Sequence, residues 1–291
     1  MKKSVQRILI FFLGIPAIAL IVLFLPYYNH LVLNLLIVLF SSLGAAELSI
    51  ILAQKNMHIS KTEASILGAL QPLMMTLAIS FGFNPLLLPA VITASVSWLL
   101  VSQIFSRGNK IDSIITHIAA GCAVLLYPGM LLTWLVRLSR LENNPGLIIM
   151  IFICTVYCCD GMAWAAGMLF GKGNQGIIPI SPNKSIAGFI GGILASIIVG
   201  TGSTIIWPHL FVLTPGSILG NPLVAGALLG MLTGIAAIIG DLGESAIKRS
   251  SGLKDSGSII PGRGGVLDSI DSIALAAPVF YIAYTLLFTG S

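Results

Sequence analysis

The sequence predicts an all-α, polytopic integral membrane protein of about nine transmembrane helices with a cytoplasmic N-terminus. Three observations predict it. Hydrophobic residues make up 56% of the 291 residues and charged residues 9%, where a soluble domain carries about 25% charged residues. Apolar runs near the roughly 20 residues that a span needs recur along the chain. Lys and Arg fall on alternate connecting segments, the bias that marks cytoplasmic loops.

The expected spans are 8–27, 31–53, 64–83, 85–105, 113–136, 146–169, 185–206, 222–240 and 272–289. The first follows Met-Lys-Lys-Ser-Val-Gln-Arg with no small-residue cleavage site before a polar region, so it reads as a retained span. The third and fourth are separated by Phe83-Asn84-Pro85, a turn signal. With the N-terminus inside, the cytoplasmic segments carry Lys2, Lys3 and Arg7; Lys55 and Lys61; Arg107 and Lys110; Lys172 and Lys184; and Lys248, Arg249, Lys254 and Arg263. The outer segments carry Arg137 and Arg140. The C-terminus is then outside. The chain divides into an N-terminal transmembrane region, 1–140, and a C-terminal one, 141–291, with cytoplasmic loops 171–184 and 241–271. Cys122, Cys154, Cys158 and Cys159 lie in apolar segments and read as packing residues. No internal repeat stands out.

Chemistry concentrates in one polar stretch, Gly240 to Ser272. Of the ten acidic residues, Asp241, Glu244, Asp255, Asp268 and Asp271 lie there, with Lys248, Arg249, Lys254 and Arg263. Carboxylates hold hard divalent cations, whereas cations and glycine amides hold phosphates. The mixture points to a phosphorylated substrate handled at the membrane surface. Asp268 and Asp271 are three apart, on one face of a helix starting near Asp268; they read as metal ligands, or as helix caps. Asp241, at the expected end of the eighth span, opposes the helix dipole and calls for a positive partner, for which a bound cation would serve. Pro261-Gly262-Arg263-Gly264-Gly265 reads as a phosphate cradle or a plain turn. Asp160 and Glu47 lie inside spans, where ionisable groups face interior cavities or hydrogen-bond a neighbouring helix. The histidines His30, His58, His117 and His209 lie outside these strings.

The run Ser245-x-x-Lys248-Arg249-x4-Lys254-Asp255-x5-Pro261-Gly262-x-Gly264-Gly265-x-x-Asp268-x-x-Asp271 resembles the signature of the phosphatidate cytidylyltransferases, the CDP-diacylglycerol synthases. Gly240-Asp241-Leu242-x-Glu244-Ser245, Asp160-x-x-Ala163-x-x-x-Gly167-x-x-Phe170-Gly171-Lys172 and Ser181-Pro182-x-Lys184 are similar to further family motifs. The motifs occupy roughly the C-terminal half. Three positions depart: Arg263 stands where the family has His, Ser269 where it has Arg, and Ala187 where it has Glu.

The resemblance implies that CTP and phosphatidic acid give CDP-diacylglycerol and pyrophosphate with Mg2+, one ion or two, in a mostly helical homodimer. It implies Asp241, Asp268 and Asp271 as metal ligands. Lys248, Arg249, Lys254 and Arg263 are candidates for phosphate contacts, and Asp255 for a place beside them. Ser245, Gly262, Gly264, Gly265, Lys172, Lys184 and Asp160 are candidates for substrate binding. The expected setting is the cytoplasmic (inner) membrane of a bacterium, with the site facing the cytoplasm and membrane lipids around the spans. A CTP-dependent lipid-alcohol kinase would share this chemistry. A transporter with Asp160 and Glu47 as coupling carboxylates is the reading from another class; charge gathered in a loop rather than at the midplane weighs against it. Nucleic-acid binding has no support.

Overall fold

Backbone bonds must be satisfied within the chain wherever lipid replaces water, so apolar runs of this length fold as helices. The computed structural model describes residues 3–104, 113–215, 217, 219–260, 262 and 264–288. Its helices are α1 (Lys3–Phe24), α2 (Tyr27–Ala53), α3 (Lys61–Phe81), α4 (Leu87–Ile104), α5 (Ile114–Leu138), α6 (Pro145–Phe170), α7 (Ile186–Ile206), α8 (Pro222–Ser250) and α9 (Leu267–Leu287). Among the described residues, the eight from α2 to α9 are long and apolar enough to cross a membrane, and α1 adds a shorter apolar stretch, Gly14–Phe24. The chain is an all-α polytopic membrane protein.

Local signals set the ends. Ser60 caps α3 by accepting from Glu63 N at 3.1 Å, and Gly82 closes it with φ 70°. Pro145 opens α6 at a position that needs no N–H donor. Ser185 caps α7, accepting from Gly188 N at 3.1 Å.

The chain forms two compact units: Met1–Arg137 with Ile247–Ile270, and Leu138–Ala246 with Asp271–Ser291. In the first, α2 and α3 pack closely, and Ser41 Oγ donates to the Gly68 carbonyl at 2.7 Å. A π-helical turn at Leu125–Met130, containing Pro128, frees carbonyls within α5; Gln71 Nε2 donates to that of Leu125 at 2.9 Å. In the second, α7 presents small residues at four-residue intervals. A methyl group on Gly188 or Gly192 would lie 2.7 or 2.9 Å from the Ala163 or Cys159 carbonyl of α6. A methyl group on Gly200 would strike the Gly226 carbonyl oxygen and lie 2.9 Å from Gly230 N of α8. Such contacts drive helix association where lipid removes the hydrophobic drive. Phe152, Phe211, Phe280, Tyr284 and Phe288 fill the rest of this core.

One expectation is corrected. The polar stretch from Gly240 does not leave the helix: α8 runs on to Ser250, and α9 begins at Leu267. The helix ladder needs no apolar side chains, so it continues past the end of the hydropathy signal. Only 251–266 connects the two helices.

Candidate functional site

The first unit holds one polar cluster around Asp268. Its Oδ1 forms an ion pair with Lys248 Nζ, and both side chains are about nine-tenths buried. Its Oδ2 accepts from Gly265 N at 2.7 Å, Ser256 N at 2.9 Å and Ser256 Oγ at 3.0 Å. These donors precede Asp268 in the chain. The residue therefore ties the connecting segment together rather than capping the helix that follows. The segment folds back at a tight turn in which Ile260 N donates to the Gly264 carbonyl at 2.8 Å and Gly264 N to that of Ile260 at 3.0 Å. Gly262 and Gly264 have φ of 77° and 116°, in the region that favours glycine. A side chain on Gly264 would meet the Asp268 carboxylate. Lys254 and Asp255 are exposed on this segment; Arg249 is exposed and donates from Nη1 to the Leu253 carbonyl at 3.0 Å. Arg263 and Pro261 lie outside the described residues.

The second unit holds the other expected residues. Asp241 is nine residues before the end of α8, so it lies inside the helix and does not meet the negative end of the helix dipole expected for it. It nonetheless has a positive partner: Lys184 Nζ donates to its Oδ2 at 2.6 Å, bringing together two positions 57 residues apart. A methyl group on Gly240 would strike the Asp271 carbonyl oxygen, so α8 and α9 touch backbone to backbone here. Asp271 is buried and its Oδ1 accepts from Ser272 N at 2.7 Å. Asp160 accepts from Ser272 Oγ at 3.4 Å. Ser245 is half-buried one turn after Asp241, and Lys172 is exposed just past the end of α6. Gly167, Gly171 and Gly188 are packed around the Ser185 hydroxyl.

Two residues in these clusters carry roles that their local sequence does not announce. Ser256 joins the turn to Asp268, and Ser272 joins α9 to Asp160. Glu47 is buried, with its carboxylate 2.9 Å from Ser256 Oγ, Val266 N and Leu267 N. It is held by donors from the connecting segment and α9, which removes it from the role of coupling carboxylate in a transporter. The first unit also contains a cavity of about 810 Å3 lined by Glu63, Trp98, His117 and Ser95. Trp98 Nε1 donates to Glu63 Oε1 at 3.0 Å, and His117 Nε2 is 3.5 Å from the same oxygen. Its described lining contains no Lys or Arg, so it does not suit a polyanionic substrate.

The cytidylyltransferase family profile matches residues 5–287 of the chain. The chain is 38% identical over 151 residues to a phosphatidate cytidylyltransferase of Synechocystis sp., covering 50% of this chain and 46% of that protein. It is 35% identical over 153 residues to a phosphatidate cytidylyltransferase of Haemophilus influenzae, covering 51% and 50%. It is 33% identical over 163 residues to one of Bacillus subtilis, covering 55% and 56%. The chain spans about half the length of these curated relatives.

Proposed function

We propose that this chain, which belongs to the cytidylyltransferase family, transfers CMP from CTP to phosphatidic acid. The products are CDP-diacylglycerol and pyrophosphate. A phosphatidate oxygen attacks the α-phosphorus of CTP, an O–P bond forms there, and the bond to the β-phosphate oxygen breaks as pyrophosphate leaves. No strong base is needed, because a phosphomonoester is largely dianionic near neutral pH (second pKa about 6). The barrier is the approach of two polyanions, so fixed cations and positioning carry most of the catalysis.

The observation that carries this reading is the signature run from Ser245 to Asp271, with Lys248 and Asp268 held together across 20 residues. Lys248, Arg249, Lys254, Arg263, Lys172 and Lys184 supply cations for the phosphates of CTP and of the lipid. Asp241, Asp268 and Asp271 are assigned to Mg2+. The donor chemistry fits, because all three carboxylates are hard oxygen ligands. Among the described residues no three His, Cys, Asp or Glu side chains form a ready-made metal cage. Mg2+ commonly takes one or two carboxylates and completes its shell with substrate phosphates and water. When bound, the ion would neutralise charge on the transferring and leaving phosphates.

The Lys and Arg placement supports a site facing the cytoplasm, and the bacterial relatives support a bacterial cytoplasmic membrane. A homodimer rests on the family resemblance alone. The test is purified protein in mixed micelles with phosphatidic acid, Mg2+ and CTP labelled in its α-phosphate. Label should enter the lipid fraction as CDP-diacylglycerol and should cease with EDTA. Transfer of γ-phosphate label instead would make the protein a lipid kinase.

A further inference from the structure

We propose that Glu47 is a positioning residue, whose carboxylate on α2 fixes the signature loop and the start of α9. Its bearing on turnover rests on the function proposed above; the contact itself does not. Glu47 is 3% exposed. Three donors converge on it: Val266 N on Oε1, and Leu267 N and Ser256 Oγ on Oε2, each at 2.9 Å. Val266 and Leu267 stand where α9 begins, and the first N–H groups of a helix have no partner within it. Both are buried, so an outside acceptor is needed. Glu47 is that acceptor, brought from 219 and 220 residues away, and it faces the positive end of the helix.

The loop is shaped to this carboxylate. A methyl group on Gly257 would lie 2.5 Å from Glu47 Oε1, and one on Gly265 would strike Glu47 Oε2 and Ser256 Oγ. Gly44, almost one turn earlier on α2, opens room for the Ile270 and Leu267 side chains, which would lie 3.3 and 3.5 Å from a methyl group placed there. From Glu47 the contacts run through Ser256 Oγ to Asp268 Oδ2, and from Asp268 to Lys248. A leucine at position 47 would serve a membrane helix at less cost, because a buried carboxylate is tolerated only where donors repay its desolvation. Those donors belong to the stretch that carries the signature. Glu47 thereby sets the distance between α2 and the loop, and through it the place of Asp268 and Lys248.

The experiment uses the full chain in micelles, as wild type, Glu47→Gln and Glu47→Ala. One arm reads amide hydrogen exchange of peptides covering 256–267, with 186–206 as the internal reference. The other reads CDP-lipid formation as kcat and KM for CTP. Glu47→Ala should speed exchange in 256–267 alone and lower kcat about 100-fold, the loss that a displacement of about 1 Å can cause, with KM for CTP changed much less. Glu47→Gln keeps an acceptor oxygen and should fall between; it decides the matter if the alanine variant does not fold. Unchanged exchange in a folded variant overturns the proposal, as does faster exchange with unchanged kcat. If wild-type protein makes no CDP-lipid, the proposed function fails, and the exchange arm alone decides the contact: faster exchange upholds it and unchanged exchange overturns it.

Discussion

Lys248 and Asp268 offer the sharpest energetic prediction. Their side chains are 10% and 8% exposed, so the pair is buried and solvent screens it little. Removing one partner of such a pair leaves the other charge buried, at a cost of about 3–5 kcal/mol. Asp268→Asn keeps an acceptor oxygen for Gly265 N and Ser256 N, so its cost should sit near the lower end, about 3 kcal/mol. Lys248→Met should cost about as much, since it strands the carboxylate. The double variant strands neither. Its destabilisation should fall short of the sum by about 2 kcal/mol, within the range for residues in one network. Chemical denaturation in mixed micelles, followed by tryptophan fluorescence, measures all four corners of the cycle. The coupling should persist at high salt. Additivity within about 0.5 kcal/mol would show that the pair does not hold the segment, and the arrangement around Asp268 would then need another cause.

Four further outcomes are expected. Lys184→Met should change stability by no more than about 1 kcal/mol, because the pair with Asp241 is 24% and 35% exposed; turnover should drop at least about tenfold if Lys184 also meets phosphate, and unaltered kinetics would remove it from the site. Gly240→Ala should destabilise by about 1–3 kcal/mol through collision with the Asp271 carbonyl. Gly243→Ala, with nothing within 4 Å, should stabilise the same helix by up to about 1 kcal/mol, so equal Tm shifts in the two variants would count against the close approach of α8 and α9. A cysteine at the exposed Ser258 should react with an impermeant thiol reagent only once the cytoplasmic face is opened, and labelling in intact cells would invert the topology. Finally, Arg263→His should impair turnover and the added Ser269→Arg should restore it, with coupling of about 0.5–3 kcal/mol on kcat/KM; simple additivity would end the idea that Arg263 replaces the missing cation.

The spans were legible because hydropathy reports what lipid demands. The end of α8 was not, because the helix ladder continues through Asp241, Glu244, Ser245, Lys248 and Arg249 without any apolar signal. Asp241 shows the consequence. Its need for a positive partner was read from a helix end that does not exist; Lys184 is the partner, and only the folded chain brings it there. Asp268 and Asp271 were legible as a pair on one helix face, since three-residue spacing is a local property. The hold on Asp268 was not, since Ser256 and Gly265 donate main-chain N–H groups that every sequence carries, and the Ser256 hydroxyl reaches Asp268 only in the folded loop.

Glu47 marks the limit of local reading. The sequence motifs lie in the C-terminal half, although the family profile runs from residue 5 to residue 287. A single Glu in an apolar helix announces a partner but not its address. Its donors lie 209 to 220 residues away. The closeness of the loop to α2 follows from glycines at 257 and 265, which the pattern alone would assign to flexibility or to phosphate binding. In the first unit those two glycines are where the loop backbone meets a carboxylate of its own chain. The signature stretch also serves the fold: Ser256, Gly257 and Gly265 fit the loop onto α2. A chain that kept every cation of the signature but lost Glu47 would keep the charges and lose their placement.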